Sequence, residues 1–390
     1  MSLMRLRLLT AGESHGPAQS AILEGMPANV PLSRERLQRQ MRRRQLGYGR
    51  GGRMKIETDE VEITAGVRGA MTLGSPIGIT VRNLDFLNWQ DVMPVWDAPA
   101  ESKRKVTRPR PGHADLAGGL KYQEHDLRNI LERASARETV ARTAAGMICG
   151  QMLAALSIDV ASHVISIGRV SAPDHSPEWD LIQSVQDGDR MRCVDPDTEA
   201  RMIAEIDEAR NRKETLGGIV QVVARNVPPG LGSHVQWDRK LDGRIAQAMM
   251  SIPSVKGVSL GDAFQIAQAW GSEAHDEIHY DAGRGFYRNT NRAGGTEGGI
   301  TTGQELRIFV AFKPLSTLMK PLDSVDVITK QRESAVVERS DTCAVPAGGV
   351  VAEAMLCLVL ADALLEKFAS DTLPDLLESL RAYTQRLKEY

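Results

Sequence analysis

Two long helical segments of low polarity constrain the fold of this 390-residue chain more than any other feature. One extends from Leu127 to about Leu156, and the other, which is strongly apolar, extends from Gly349 to Phe368. One face of the first segment carries small and apolar residues, namely Ile130, Ala134, Ala141, Ala145, Ile148 and Met152. Because such a face suits a close helix contact, we predict that both helices are buried.

Strand patterns and further helices are distributed around these two segments. Strands are predicted at 5–9, 21–27, 54–57, 61–63, 78–83, 160–170 and 218–224. Helices are predicted at 33–46, 196–215, 241–251 and 373–390. The two kinds of element do not alternate regularly, as they do in a doubly wound sheet. The sequence therefore predicts an α+β fold built in layers.

Composition excludes several classes of protein. A hydrophobic content of 42% fits a globular chain with one large domain or two. The net charge of −2 gives no global attraction to nucleic acid or to a membrane. The four cysteines show no paired spacing, and no signal peptide or apolar run approaching about 18 residues is evident. We expect a cytoplasmic protein, with residues 1–3 added ahead of a native start at Met4.

The segment Gly12–Gly16 matches G-x-S-x-G, the pattern of the hydrolase nucleophile elbow. That elbow needs a sheet before the serine and a helix directly after it, whereas here one strand precedes Ser14 and a second strand follows. A serine hydrolase would still be indicated if a fluorophosphonate probe labelled Ser14. The alternative is that His15 is the working residue, set in a turn where backbone can approach a ligand closely.

A second signal is charge, because residues 34–55 contain nine basic residues against one acidic residue. Arg34, Arg36 and Arg39 are typical of a solvated helix face. Arg44, Arg50 and Arg53 accompany a glycine-rich loop, where forked guanidinium donors would suit phosphate or carboxylate. The loop itself, 47–52, fits the dinucleotide pattern G-x-G-x-x-G, but a helix precedes it and strands follow, which is the wrong context.

Three further clusters could carry chemistry. His113 follows the basic cluster 103–110 and is either a structural loop residue or an acid beside Arg110. Arg133 and Arg137 flank Ser135 and form either a surface pair, with Glu132 and Glu138 nearby, or part of a polar pocket. Asp341 beside Arg339 is either half of a salt bridge or a catalytic carboxylate.

His275 and His279 lack a third ligand, so no metal site is predicted. Together these residues suggest acid–base chemistry on a small, multiply anionic substrate, with elimination of phosphate.

At this point the sequence closely resembles the chorismate synthase family, over nearly its whole length. The resemblance rests on several motifs in the right order: 12–16, 42–57, 110–115, 132–139, 256–258, 294–300, 313–314 and 339–341. It implies a single domain over residues 1–390, with helices sandwiched between antiparallel sheets, and a homotetramer. It also implies the last step of the shikimate pathway, in which 5-enolpyruvylshikimate 3-phosphate loses phosphate and a ring proton in a 1,4-anti elimination that requires reduced FMN.

The resemblance also implies residue roles. His15 protonates the departing phosphate, His113 stabilises the reduced flavin, and Asp341 assists proton removal at the flavin's nitrogen-5. The phosphate and two carboxylates of the substrate are held by Ser14, Arg44, Arg50, Arg53, Arg110, Ser135, Arg137 and Arg339. The flavin is held by Arg133, Ala134, Ser135, Pro253, Ser254, Gly298, Lys313, Pro314, Leu315, Ser316, Thr317 and Arg339. Many family members have an amide residue and alanine where this chain has Pro253 and Ser254.

Electron supply is a separate expectation. Arg44 and Arg50 match positions associated with NADPH in bifunctional members of the family. This chain shows no additional reductase module, so we expect NADPH to act only as an indirect electron source, through a separate flavin reductase. A nucleic-acid-binding protein is the rival hypothesis from another class. It would need aromatic residues among the basic clusters, where only Tyr48 is available, and salt-sensitive RNA retention.

Overall fold

The structure is a computed structural model that describes residues 5–51, 58–96, 104–173, 175–338 and 340–390. The predicted strand at 54–57 and the predicted site residues Arg53 and Arg339 lie outside the described residues.

Eleven α-helices and seventeen strands are formed by the described residues. The helices are α1 (Arg34–Gln45), α2 (Asp115–Tyr122), α3 (Arg128–Arg133), α4 (Thr139–Ala155), α5 (Trp179–Ser184), α6 (Pro196–Asn211), α7 (Leu241–Met250), α8 (Ala263–Ile266), α9 (Gly271–Ala274), α10 (Val345–Phe368) and α11 (Leu373–Lys388). The strands are β1 (Arg7–Ala11), β2 (Ala18–Glu24), β3 (Val61–Ala65), β4 (Val67–Arg68), β5 (Met71–Thr72), β6 (Ile77–Arg82), β7 (Asp159–Ile167), β8 (Val170–Ser171), β9 (Gly218–Arg225), β10 (Val255–Leu260), β11 (Ile278–Asp281), β12 (Gly285–Arg288), β13 (Thr296–Glu297), β14 (Ile300–Thr301), β15 (Leu306–Phe312), β16 (Asp323–Val325) and β17 (Arg332–Ser334).

Two antiparallel sheets form the outer layers. One has the strand order β1-β2-β6-β3, and the other has the order β10-β15-β9-β7-β8. In the second sheet β9 pairs with β7 and β15 along nearly its whole length. Its side chains are mostly buried, which fits a strand covered by helices.

Helices α4 and α10 form the layer between the sheets. α10 packs against β7 and β9, α4 packs against β2 and β6, and the two helices pack against each other. At their contact a Cβ atom placed on Gly146 would lie 2.3 Å from the carbonyl oxygen of Ala354, so glycine permits the close approach. The predicted α+β sandwich is confirmed.

The apolar character of α10 comes from this central position. By length and composition alone α10 could cross a membrane, because its most apolar 18-residue window has a mean hydropathy of 2.0. Its apolar residues are interrupted by Glu353 and Asp362, so the sequence showed no continuous apolar run of this length. However, 83% of that window is buried inside the protein, as in the core helix of a layered fold.

The single helix predicted from Leu127 to Leu156 was also wrong in one respect, because the segment is broken. α3 ends at Arg133, and a short 3-10 helix, Ala136–Glu138, leads into α4. Between them Ser135 has extended backbone, and its hydroxyl caps the short helix by accepting a hydrogen bond from the amide of Arg137 at 3.3 Å. A serine that competes for backbone donors in this way ends a helix, and here the break faces the cavity described next.

Candidate active site

A cavity of about 610 Å³ lies where the N-terminal ends of α4 and α10 meet the loops of both sheets. Predicted site residues from seven separate parts of the chain line it: Ser14, His15, Arg44, Arg50, Arg110, His113, Ala134, Ser135, Arg137, Pro253, Ser254, Lys313, Leu315, Ser316, Thr317 and Asp341. Helix N-termini carry unpaired amide donors and partial positive charge, so both α4 and α10 favour an anion in this cavity.

His15 lies in the turn between β1 and β2 and is held in a fixed orientation. Its Nδ1 lies 2.9 Å from Oε1 of Glu132, and its backbone amide donates to Oε2 of Glu132 at 2.8 Å. The imidazole stacks on Trp89 with ring centroids 3.7 Å apart. Ser14 stands in a strand–turn–strand context, because β2 follows it, so the hydrolase elbow lacks its helix.

Glu132 was missed by the sequence reasoning as a site residue. It was considered only as a neighbour in a surface pair, yet its side chain is fully buried. Burial opposes ionisation, but hydrogen bonds from His15 and the charge of Arg128 outweigh this and hold the pKa of the carboxyl below its usual value. The i,i+4 spacing of Arg128 and Glu132, which are 3.1 Å apart, was the available signal.

His113 is held by a similar arrangement. Its Nδ1 lies 2.5 Å from Oδ1 of Asp115, while Arg110 Nε donates to Oδ2 of Asp115 at 2.8 Å. Burial opposes ionisation of Asp115, yet the hydrogen bonds from His113 and Arg110 keep its pKa well below the usual range. Arg110 also donates to the hydroxyl of Thr317 at 2.8 Å. His113 therefore lies in a charged cluster that lines the cavity.

A buried carboxylate also organises two of the predicted arginines. Asp59 accepts from Arg44 at 3.1 Å and from Arg137, whose guanidinium also donates to Asn83 at 2.8 Å. Burial lowers the pKa of Arg44 to about 10, an effect that Asp59 partly offsets. Arg137 is 5% exposed, so the pocket alternative holds for it and the surface-pair alternative was wrong. Asp59 was not identified from the sequence.

Asp341 forms a salt bridge and also lines the cavity. Its carboxylate pairs with Arg50 at 2.7 Å and accepts from the amide of Gly51 at 2.6 Å. The side chain of Asp341 nevertheless lines the cavity and is 20% exposed. Asp341 thus ties the glycine-rich loop to the segment before α10.

Some of the residues predicted to bind flavin are not brought to the cavity. Arg133 turns toward the first sheet and donates to the carbonyl oxygens of Thr10 and Gly12 at 3.0 and 3.1 Å. The carbonyl of Gly298 accepts from Lys240, and neither Gly298 nor Pro314 lines the cavity. Lys313 does line it, and burial followed by the nearby charge of Lys256 lowers its pKa.

The charges around the cavity are strongly unbalanced. Its described lining includes Arg44, Arg50, Arg110, Arg137 and Lys313 against the carboxylates of Glu338 and Asp341. Within the described ranges no group of three His, Cys, Asp or Glu side chains is placed to hold a metal ion. A cationic cavity with oriented histidines is typical of an enzyme that acts on a small anionic molecule.

Comparison with known proteins gives the family. The chorismate synthase family model matches residues 6–365. Chorismate synthase of Moorella thermoacetica is 56% identical over 387 residues, covering 98% of this chain and 100% of that protein. Chorismate synthase of Aquifex aeolicus is 51% identical over 399 residues, covering 100% of each. A crystal structure of chorismate synthase superposes with a TM-score of 0.79 at 42% identity, covering 99% of both chains. The chain belongs to the chorismate synthase family, and it is a lyase.

Proposed function

We propose that this enzyme converts 5-enolpyruvylshikimate 3-phosphate into chorismate by 1,4-anti elimination, with reduced FMN as its cofactor. The carbon–oxygen bond to phosphate breaks, a ring proton leaves, and a new double bond forms, so the products are chorismate and phosphate. The observation that carries this proposal is that two oriented histidines, His15 and His113, share one cavity with four arginines.

The arginines suit the charges of that substrate. Arg44 and Arg137 lie near the N-terminus of α4, and Arg110 lies on the wall that carries His113. The hydroxyls of Ser14 and Ser135, which are 3.1 Å apart, add short donors beside this end of the helix. Guanidinium groups and helix amides together favour a phosphate group, and the remaining arginines suit the two carboxylates.

His15 supplies a proton to the substrate, and His113 supplies positive charge. His15, oriented by Glu132, protonates the departing phosphate, which makes it a better leaving group. Nδ1 of His113 lies against Asp115. When His113 is protonated, its positive charge favours negative charge on a bound group. Asp341, which lines the same cavity, assists the removal of the ring proton.

The residues present fit a reduced flavin. An apolar wall suits a planar ring system and is formed by Leu131, Ala134, Ile252, Pro253, Phe312, Leu315 and Val351. Lys313, Ser316 and Thr317 provide polar contacts beside it. When bound, reduced FMN supplies transient electron density and a base at its nitrogen-5. We also propose that a separate reductase supplies the reduced flavin, with NADPH as the indirect electron source, and that the enzyme works in the cytoplasm as a homotetramer.

Anaerobic turnover tests this function. The protein is mixed with dithionite-reduced FMN and 5-enolpyruvylshikimate 3-phosphate, and chorismate is followed by absorbance. We expect product from the wild type, and we expect His15→Ala and His113→Ala each to lower kcat by about 10-fold or more, as for general acid–base groups. His175→Ala, at an exposed histidine outside the cavity, is the control and keeps wild-type kcat. A folded, flavin-bound wild type that forms no chorismate would contradict the proposal.

A further inference from the structure

Glu132 makes several hydrogen bonds to the Gly12–Gly16 turn, through both its backbone and its carboxylate. Its backbone carbonyl accepts from the amide of Ser14 at 3.0 Å, and its carboxylate accepts from the amide of His15 at 2.8 Å. The same carboxylate lies 2.9 and 3.0 Å from Nδ1 of His15. One residue of α3 therefore fixes both the backbone and the ring of the histidine.

These contacts define which ring nitrogen serves the cavity. A carboxylate is acceptor-only when ionised, so Nδ1 of His15 carries a proton and donates it to Glu132. Nε2 is the other ring nitrogen, and the geometry of an imidazole directs its bond away from that of Nδ1. Since His15 lines the cavity and Glu132 does not, Nε2 is the nitrogen presented to a bound molecule.

The carboxylate itself is held in place and kept charged. Arg128 donates to Glu132 at 3.1 Å and to Glu338 at 3.0 Å. Trp89 covers one face of the His15 ring, and Arg104 and Arg128 lie 4.3 and 5.1 Å from the centroid of Trp89. Among the described residues, Glu132 contacts His15 directly, Arg128 contacts Glu132, and Arg104 and Glu338 lie further out. The negative charge of Glu132 is the nearest of these to the imidazole.

We propose that Glu132 is a positioning residue for catalysis: it fixes His15 with the proton on Nδ1 and stabilises the imidazolium, so that Nε2 delivers a proton to the leaving phosphate. This inference rests on the proposed function. The same arrangement occurs a second time in the site. Asp115 contacts Nδ1 of His113 and accepts a hydrogen bond from Arg110. Each histidine is therefore backed by a buried carboxylate that an arginine neutralises.

The first test is Glu132→Gln, which keeps the shape of the side chain but removes its charge. We expect kcat to fall by about 10- to 100-fold with KM changed less than about 3-fold, because the substrate's arginines are untouched. A general acid works only while protonated, so activity is lost as pH rises. A neutral amide stabilises the imidazolium less. The pH at which kcat falls on the alkaline side is therefore lower in the variant than in the wild type.

Glu138→Gln is the matched control. Glu138 is also a buried glutamate and pairs with an arginine one turn away, Arg142, at 3.0 Å, but it has no contact with His15. We expect this variant to keep the kcat and the pH profile of the wild type. An equal loss in both variants would show that removing any buried glutamate damages the fold, and would overturn the proposal.

A double-mutant cycle separates positioning from a structural role. If Glu132 acts through His15, Glu132→Gln adds less than about 2-fold to the loss already caused by His15→Asn. Additive losses would overturn the proposal.

A measurement without turnover keeps this inference distinct from the proposed function. In protein labelled with 13C at histidine Cε1, the His15 signal is identified by its disappearance in His15→Asn and titrated with pH. We expect its midpoint to move to lower pH in Glu132→Gln and to stay in place in Glu138→Gln. An unmoved midpoint would contradict the role of Glu132, whereas an inactive wild type with the expected shift would contradict only the proposed reaction.

Discussion

At the scale of single residues, buried carboxylates organise this protein, and Glu353 shows their effect on stability outside the cavity. Glu353 lies on α10 in the core and pairs with Arg43 at 2.8 Å and Arg192 at 2.6 Å. Ser162 donates to the same carboxylate at 2.6 Å. Burial opposes ionisation, yet the two arginines lower the pKa of Glu353 to about 2. An ionised Glu353 is therefore part of the folded state at neutral pH.

Glu353→Gln should lower the free energy of unfolding by about 3–5 kcal/mol at pH 7, because two buried guanidinium groups lose their counter-charge. The pKa of Glu353 is depressed in the folded protein, so its contribution is complete above the unfolded value of about 4.3 and declines as pH falls toward 2. The difference from wild type in urea unfolding should therefore narrow between about pH 5 and pH 2. Glu366→Gln, at a partly exposed pair with Arg244, is the control and should cost about 1 kcal/mol or less. A pH-independent difference would contradict this interpretation.

The sequence predicted the cationic and histidine members of the candidate site better than its carboxylates. His15, His113, Arg44 and Arg110 stand out because arginine and histidine beside glycine-rich loops suggest an anion, whereas Arg137 was predicted only as one of two alternatives. The buried carboxylates that orient them were missed, since an acidic residue beside arginines is equally typical of a solvated surface. What distinguishes these carboxylates is burial, and burial depends on contacts between segments that are distant in the sequence. His15 and Glu132, for example, are 117 positions apart.

At the scale of elements, the contact between α4 and α10 depends on one glycine. A Cβ on Gly146 would meet backbone, the carbonyl of Ala354, at 2.3 Å, whereas a Cβ on Gly150 would first meet the side-chain sulfur of Cys357 at 3.3 Å. Gly146→Ala should therefore push the helices apart and cost about 1–3 kcal/mol, measured as a lower midpoint of urea unfolding. Gly150→Ala should be near neutral, because the helix gains rigidity and the neighbouring side chain can move.

The same two variants, Gly146→Ala and Gly150→Ala, also test whether the distance between the helices affects kcat/KM. Since the N-terminal ends of α4 and α10 both line the cavity, a shift between the helices should also lower kcat/KM in Gly146→Ala. Equal behaviour of the two variants would show that the interhelical distance does not control the site.

Element types were largely predictable because their hydrophobic periods are clear. The helices at 33–46, 196–215, 241–251 and 373–390 correspond to α1, α6, α7 and α11. The break at Ser135 was not predicted, because apolar residues continue in helical spacing across it. The pairing of strands was not predictable either, since β9 bonds to β15 from a distant part of the sequence. The family resemblance, and not the periodicity, implied that helices lie between two sheets.

At the scale of the whole molecule, exposed aromatic residues gather on one hairpin. Tyr280 and Phe286, on β11 and β12, are 65% and 58% exposed, and their rings contact each other with centroids 5.1 Å apart. Ile278 and Trp270 nearby are also exposed. If the chain assembles as a homotetramer, a surface of this kind is expected to be covered by another copy.

Combining Tyr280→Glu with Phe286→Glu should reduce the mass of the assembly, because charged side chains would have to be buried between copies. Size-exclusion chromatography with light scattering measures this, with a wild-type mass of about four chains of 42.6 kDa as the expectation. Leu181→Glu, at an exposed apolar position on α5, is the control and should leave the mass unchanged. An unchanged tetramer in the double variant would place the contact between copies elsewhere.

The order in which the chain is made has a consequence for the cavity. Its lining joins Ser14 and His15, near the beginning, to Asp341 and the first turn of α10, more than three hundred residues later. At synthesis rates of about 5–20 residues per second, the histidine waits on the order of 20–60 s for the helix that completes its surroundings. A ligand that contacts both the Gly12–Gly16 turn and α10 therefore finds its full set of contacts only near the end of synthesis. The complete cavity can form only after α10 has been synthesised, which is later than the strands of both large sheets.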